Sequence, residues 1–267
     1  MLSFRDLIPA FSRLGVPTGS PVIVHASLRA FGQVRGGAET VVGALVNVFG
    51  GVMAPTFTYK TMITPETGLE NNGIVYGSGE NANRMAQFFR PNMPADATIG
   101  IIPDTLRQHP KAKRSMHPIL SFAGVEVDDA LAAQTLAEPL APIRVLADEG
   151  GWVLLLGVDH TVNTSLHYAE KLARRKQFVR WALTPAGIYE CPGFPGCSDG
   201  FEGIVPHVHH LTREQRVGEA VIQALPLMSM IEVAKTLIED DPQALLCELP
   251  DCGRCEAVRA TVQGTGG

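Results

Sequence analysis

VLLLGVDHTVNTSLHYAE, residues 153–170, carries the pattern from which the rest of the chain can be read. The apolar run Val153-Leu154-Leu155-Leu156 closes on Gly157, the mark of a short strand buried on both faces. A polar turn, Asp159-His160-Thr161-Val162-Asn163, follows it. Thr164 to Glu170 then runs into a helix, for which Asn163 or Thr161 is a suitable N-cap. Strand, tight turn and helix N-terminus are where α/β folds place ligands, because unpaired backbone N–H groups and the helix dipole point there. On that helix His167 and Glu170 share one face. A carboxylate beside an imidazole fixes its tautomer and raises its basicity, as a general base requires. The same spacing also serves an ordinary surface contact.

Upstream the order repeats. Phe4, Leu7, Ile8, Phe11 and Leu14 recur at helical spacing over residues 3–15. Pro21-Val22-Ile23-Val24-His25 reads as a buried strand that leaves through Ala26-Ser27-Leu28 into a turn carrying Gly32, Gly36 and Gly37. A helix is expected over 38–49 and a short strand at Val52-Met53-Ala54, whose end continues as Pro55-Thr56-Phe57-Thr58. Such a β-turn-α-β unit favours a parallel sheet with a right-handed crossover. From Tyr59 to about Glu80 the period is lost, and a long irregular loop of this kind inside a domain is commonly functional. Further helices are expected over 81–89, 128–137, 143–149, 164–173, 211–223 and 230–239.

At 267 residues the chain suffices for one large α/β domain or two modest ones. An apolar content of 45% with 18% charged residues is that of a soluble globular protein. The net charge of −5 argues against a nucleic-acid partner and suits a cationic small molecule. No apolar run reaches membrane-span length, and MLSFRDLIPAF lacks the layout of a signal peptide. A cytoplasmic enzyme is therefore expected, as a monomer or homodimer.

VHASLRAFG (24–32), APTFT (54–58), RSMHPILSFA (114–123) and LLLGVDHTVNTSLHYAE (154–170), in this order and spacing, closely resemble the aminoglycoside N(3)-acetyltransferases, the antibiotic acetyltransferase family. Pattern and resemblance together imply a single α/β domain over 1–260, with a mostly parallel central sheet flanked by helices in three layers (α/β/α). A C-terminal cysteine-bearing subregion and a disordered tail at 261–267 complete it. The resemblance implies acetyl-CoA as co-substrate and the 3-N amine of an aminoglycoside as acceptor, hence antibiotic resistance. It gives His167 as general base and makes His25 a second catalytic candidate. On the chemistry of acyl transfer Glu170 would orient the imidazole, and Thr164 or Ser165 at the helix start is the candidate donor to the tetrahedral oxyanion. It places Ser27, Leu28, Gly32, Ser115, His117, Thr164 and Ser165 along the acetyl-CoA site. Ala26 stands where relatives carry a serine, and Asp159-His160-Thr161 where they often read Gly-His-Asp. For a polycationic acceptor the candidate contacts are Asp159, His160 and Thr56, with Glu66, Glu70 and Glu80 of the irregular loop. Another amine-bearing metabolite is the alternative acceptor.

The five cysteines lie in CPGFPGC (191–197) and CELPDCGRC (247–255). Cys191 and Cys197 with Cys252 and Cys255 would close a four-cysteine structural zinc site that ties the tail to the core. The other reading is reduced, unpaired thiols in a reducing compartment. A different reaction class, a zinc-dependent amide hydrolase, would use His160, His167 and Glu170 as ligands; a non-catalytic homologue is the third reading. His207-Val208-His209-His210 reads as a solvated loop.

Overall fold

Val22, Ile23 and Val24 are β-branched and wholly buried, and in the computed structural model, which describes residues 1–263, they form the middle of strand β1 (Pro21–Ala26). The other strands are β2 (Gly51–Pro55), β3 (Met62–Ile63), β4 (Lys113–Arg114), β5 (Phe122–Val125), β6 (Trp152–Leu156), β7 (Phe178–Thr184), β8 (Gly187–Phe194), β9 (Arg213–Val217) and β10 (Ala220–Pro226). The central sheet runs β4-β5-β2-β1-β6-β10-β9, and β3, β7 and β8 make a second, smaller sheet.

Alternating side chains serve two cores. Ile23, Met53, Val153 and Leu155 pack on one face, against the helices Ala141–Asp148, Ser165–Leu172 and Leu227–Asp240. Val22, Val24, Val52, Leu154 and Leu156 pack on the other, against Phe4–Ser12, Gly37–Val48 and Ile101–Gln108. Each such buried aliphatic side chain stabilises the fold by about 1.5–3 kcal/mol. A one-residue slip of β6 would exchange the side chains of its two apolar faces and spoil the packing of both cores. This is the three-layer α/β arrangement expected from the sequence.

The parallel part is the centre alone: β1 pairs parallel with β2 and with β6. Antiparallel strands extend it on both sides, β5 and β4 beyond β2, β10 and β9 beyond β6. The β9–β10 hairpin replaces the helix expected over 211–223. Glu, Gln and Ala there suit a helix, but Gly218 turns the chain at φ 60° and Ile222, Ala224 and Leu225 pair with β6, where burial outweighs propensity. The helix expected over 81–89 is shorter, Glu80–Met85, because Phe89 leaves it to donate its N–H to Leu183. The helix Ile101–Gln108 has no counterpart among the expected ones. Residues 261–263 of the expected disordered tail belong to the helix Gly253–Gln263, while 264–267 lie outside the described residues. The irregular loop is pinned by Asn72, whose side chain donates to Val179 O (3.0 Å) and accepts from Val179 N (2.9 Å), as a strand neighbour would. Among the described residues no helix is long and apolar enough to cross a membrane.

Candidate active site

Because Ala26 and Leu156 are register partners, β1 and β6 end at one level, and Ser27 N–H seals the join by donating to Leu156 O at 3.0 Å. The chain segments leaving these parallel strand ends diverge and open a cleft of about 510 Å³. His25, Ser27 and Leu28 line it from β1, Pro55 and Phe57 from β2, and Thr161, Thr164 and His167 from the stretch after β6. Asn163 caps the following helix, its side-chain oxygen accepting from Ser165 N at 3.2 Å.

His167 and Glu170 meet as their spacing predicts, Nδ1 to Oε2 at 2.6 Å, the carboxylate almost wholly buried. The other carboxylate oxygen, Oε1, accepts from Arg175 at 2.9 Å, and the same guanidinium donates to the carbonyls of Pro242 and Ala244. Phe201 lies against the imidazole with ring centres 4.7 Å apart. The ring is thus held directly by Glu170 and Phe201, and Arg175 in turn holds Glu170. A carboxylate accepting from Nδ1–H leaves the lone pair on Nε2, the nitrogen available to the cleft.

His25 also lines the cleft, but as a different kind of group. Burial, reinforced by His160 and His167 nearby, holds its imidazole down at about 3, so it is neutral and a weak proton acceptor. Its Nε2 is buried with no protein partner, which suits a hydrogen bond to a bound molecule.

Several expected contacts lie elsewhere. Thr56 is buried beside the cleft with its hydroxyl donating to Ser121 O (3.1 Å). Ser115 bridges Phe122 N and O, and His117 Nδ1 accepts from the N–H groups of Ile119 and Leu120. These two residues close the turn between β4 and β5 and do not line the cleft; burial lowers His117 to about 4. Gly32 holds a φ of 71° with Glu219 packed where a Cβ would sit, and it does not line the cleft. Ser165 is fully buried behind Thr164, its hydroxyl unpartnered. His160 is buried, its Nδ1 accepting from Asn163 at 3.1 Å while its backbone N–H donates to Glu202 at 2.9 Å. Asp159 is exposed and caps Thr161 N at 3.0 Å. Glu80 pairs with Arg84 on the surface, Glu66 is exposed, and Glu70 lines a separate surface cleft. Among the described residues no carboxylate lines the His167 cleft, while Arg29 and Arg254 do.

Cys191 is the remaining correction. It packs in the main core, where burial pushes its thiol up to about 12. Cys247 takes its place in a four-thiol group with Cys197, Cys252 and Cys255. Among the described residues these are the side chains that could jointly hold a metal; His160, His167 and Glu170 do not form such a group. Sequence reasoning missed Arg254, Tyr59, Pro195 and Ser198 on the cleft wall. The one available signal was that Arg254 sits inside the CGRC turn and Pro195 inside CPGFPGC.

The family model described as aminoglycoside 3-N-acetyltransferase matches residues 23–239. The chain belongs to that family. It is 34% identical over 198 residues to aminoglycoside N(3)-acetyltransferase III of a Salmonella species, a match covering 68% of this chain and 66% of the relative. With the enzyme of that name from Serratia marcescens it shares 31% identity over 258 residues, covering 85% of this chain and 93% of the relative. Among solved structures, aminoglycoside acetyltransferase AAC(3)-IVa superposes with a TM-score of 0.77 at 23% identity, covering 97% of this chain and 98% of that one. An AAC-IIIb structure determined as a binary complex with CoASH gives a TM-score of 0.71 at 23% identity, over 89% of this chain and 96% of that one. These family members share the single-domain fold described above.

Proposed function

We propose that this member of the family transfers an acetyl group from acetyl-CoA to an amine, with the 3-amino group of an aminoglycoside as the acceptor. The observation that carries the reading is the 2.6 Å contact from His167 Nδ1 to Glu170, which turns Nε2 into the proton acceptor at the cleft. Aliphatic amines are mostly protonated near neutral pH and then have no lone pair for attack. His167 takes the amine's proton as the new N–C bond forms. The electron pair of the breaking C–S bond leaves with sulfur, and the proton held on Nε2 is returned to the leaving thiolate or to water. A base so placed contributes about 10²–10⁴-fold.

Thr164, at the cleft and one turn before His167, is the donor for the tetrahedral oxyanion. Leu28 and Arg29 open the short helix Leu28–Phe31 on the cleft wall, and the N–H groups of a helix start have no intrahelical acceptor. They suit a CoA phosphate, with the Arg29 guanidinium beside them. His25, neutral and with a free ring nitrogen, hydrogen-bonds a substrate oxygen. The family assignment supports the 3-N acceptor, and the similar structures include a gentamicin complex of a histidine-to-alanine variant of AAC(3)-IVa.

The test is thiol release from acetyl-CoA with a panel of aminoglycosides, for wild type and His167→Ala. Release by wild type and loss of about 10²-fold or more in the variant is the expected result. Full activity in His167→Ala would overturn the base assignment. Binding of CoA without release for any aminoglycoside would overturn the acceptor class.

A further inference from the structure

Behind the cleft wall the chain brings together Cys197, just after β8, Cys247 in the segment following the Leu227–Asp240 helix, and Cys252 and Cys255 at the start of the last helix. Their sulfur atoms all lie within 4.8 Å of one another. Three of the four are buried and Cys252 is partly so. A tetrahedron of thiolates around zinc, with Zn–S of about 2.3 Å, has sulfur–sulfur edges of about 3.8 Å. The Cys247–Cys255 separation is 3.4 Å, and small shifts of the others complete the figure. Two residues between Cys252 and Cys255 is the spacing of a metal knuckle, and Asp199 N–H already points at Cys197 Sγ (3.5 Å). Four thiolates on one divalent ion leave a dianionic centre. Two guanidiniums stand on its backbone: Arg259 donates to Cys247 O at 2.5 Å and Arg254 to Gly196 O at 2.8 Å.

Arg254 also joins this cluster to the chemistry. It lies between the two knuckle cysteines, lines the cleft, and holds Gly196, itself a lining residue at which a Cβ would stand 3.6 Å from the Glu170 carboxylate. With Arg29 it is one of two cations on a wall that, among the described residues, has no carboxylate.

We propose that Cys197, Cys247, Cys252 and Cys255 bind one zinc ion, and that this closed site fixes the Cys252–Cys255 turn so that Arg254 forms part of the substrate-binding wall. Zinc is structural here: four protein ligands leave no open position for substrate. The ion sets where the guanidinium stands, and Arg254 is the residue that meets an oxygen of a bound substrate. The metal half stands independently of the acetyltransferase reading; the Arg254 half rests on it.

Metal content of the full-length protein separates the two halves. Wild type and Cys191→Ser are expected to carry about one zinc per chain, and Cys247→Ser less than a tenth of that. Cobalt substituted into wild type gives the intense visible absorption of a tetrahedral thiolate site. Removing zinc with a chelator speeds hydrogen–deuterium exchange in segments 194–198 and 247–259 and leaves β1 and β6 protected, a readout that needs no activity. Arg254→Gln keeps its zinc and raises KM for one of the two substrates about tenfold, the size of one hydrogen bond to a charged group, with kcat within about threefold. Metal-free wild type with four reactive thiols, or with a disulfide among them, would overturn the zinc site. Loss of metal from Cys191→Ser with retention in Cys247→Ser would overturn the ligand set. Both KM values unchanged in a zinc-loaded, active Arg254→Gln would overturn the coupling. Absence of transfer in wild type with zinc present would instead overturn the acetyltransferase reading and Arg254's substrate role with it.

Discussion

Glu170→Gln exchanges a carboxylate for an amide of the same shape, and its neighbours decide the outcome. In the native site the two carboxylate oxygens serve two donors, His167 Nδ1–H at 2.6 Å and Arg175 at 2.9 Å. Glutamine has one acceptor oxygen and one NH₂ group. The permanently charged guanidinium claims the oxygen, because charge-assisted hydrogen bonds are the stronger ones. The NH₂ group then faces Nδ1, which must become the acceptor, and the proton of the neutral imidazole moves to Nε2. The ring keeps its place but presents a donor to the cleft where a lone pair is needed. A hydrogen bond to a charged partner is worth about 1.5–3 kcal/mol, which converts to a rate loss of about 10- to 150-fold. The ceiling is the whole contribution of a general base, about 10⁴. Steady-state thiol release is therefore expected to show kcat reduced about 10²-fold, with KM for acetyl-CoA nearly unchanged. Near-UV circular dichroism of the variant should match wild type. A kcat within threefold of wild type in a folded variant would show that Glu170 braces the helix through Arg175 and does not set the tautomer.

Two further predictions concern stability. Burial holds His25 at about 3 and His117 at about 4 against an ordinary 6.5, so below 6.5 the unfolded chain binds protons that the native one refuses. Stability then falls with falling pH, by about 2 kcal/mol for each histidine at pH 5, and urea unfolding at pH 7 and 5 should show the difference reduced in His117→Gln. A stability independent of pH over that range would refute the assignment. Gly157→Ala places a Cβ 2.2 Å from that of Ala30 at a φ of 68°, and should cost about 2–4 kcal/mol through strain and overpacking. Urea unfolding measures it, and a change below 0.5 kcal/mol would mean the Leu28–Phe31 turn yields freely.

The strand–turn–helix stretch disclosed its own structure because every signal in it is local: an apolar run, a capping residue and a pair at helical spacing. The same locality explains the failures. Ser115, His117 and Thr56 carry functional residue types, yet their hydrogen bonds go to the backbone of β5 and its approach, a partner no spacing rule identifies. The 211–223 segment has helix-forming residues and a strand's fate, set by the open edge of β6. Among the cysteines, the loose spacing of CPGFPGC concealed that only its second thiol turns toward CGRC, since Cys191, on β8, is buried in the main core. Arg254 was invisible as a cleft residue because its place depends on that same convergence.

The cleft draws on β1 near the beginning of the chain and on the Gly253–Gln263 helix near its end. During synthesis the first strand and its crossover can fold early, as domains generally do from the N-terminal side. The cleft wall, however, is complete only when the turn that bears Arg254 has joined it. A chain cut before Cys252 would thus keep the β1 and β6 side of the cleft and lack the side that Arg254 supplies.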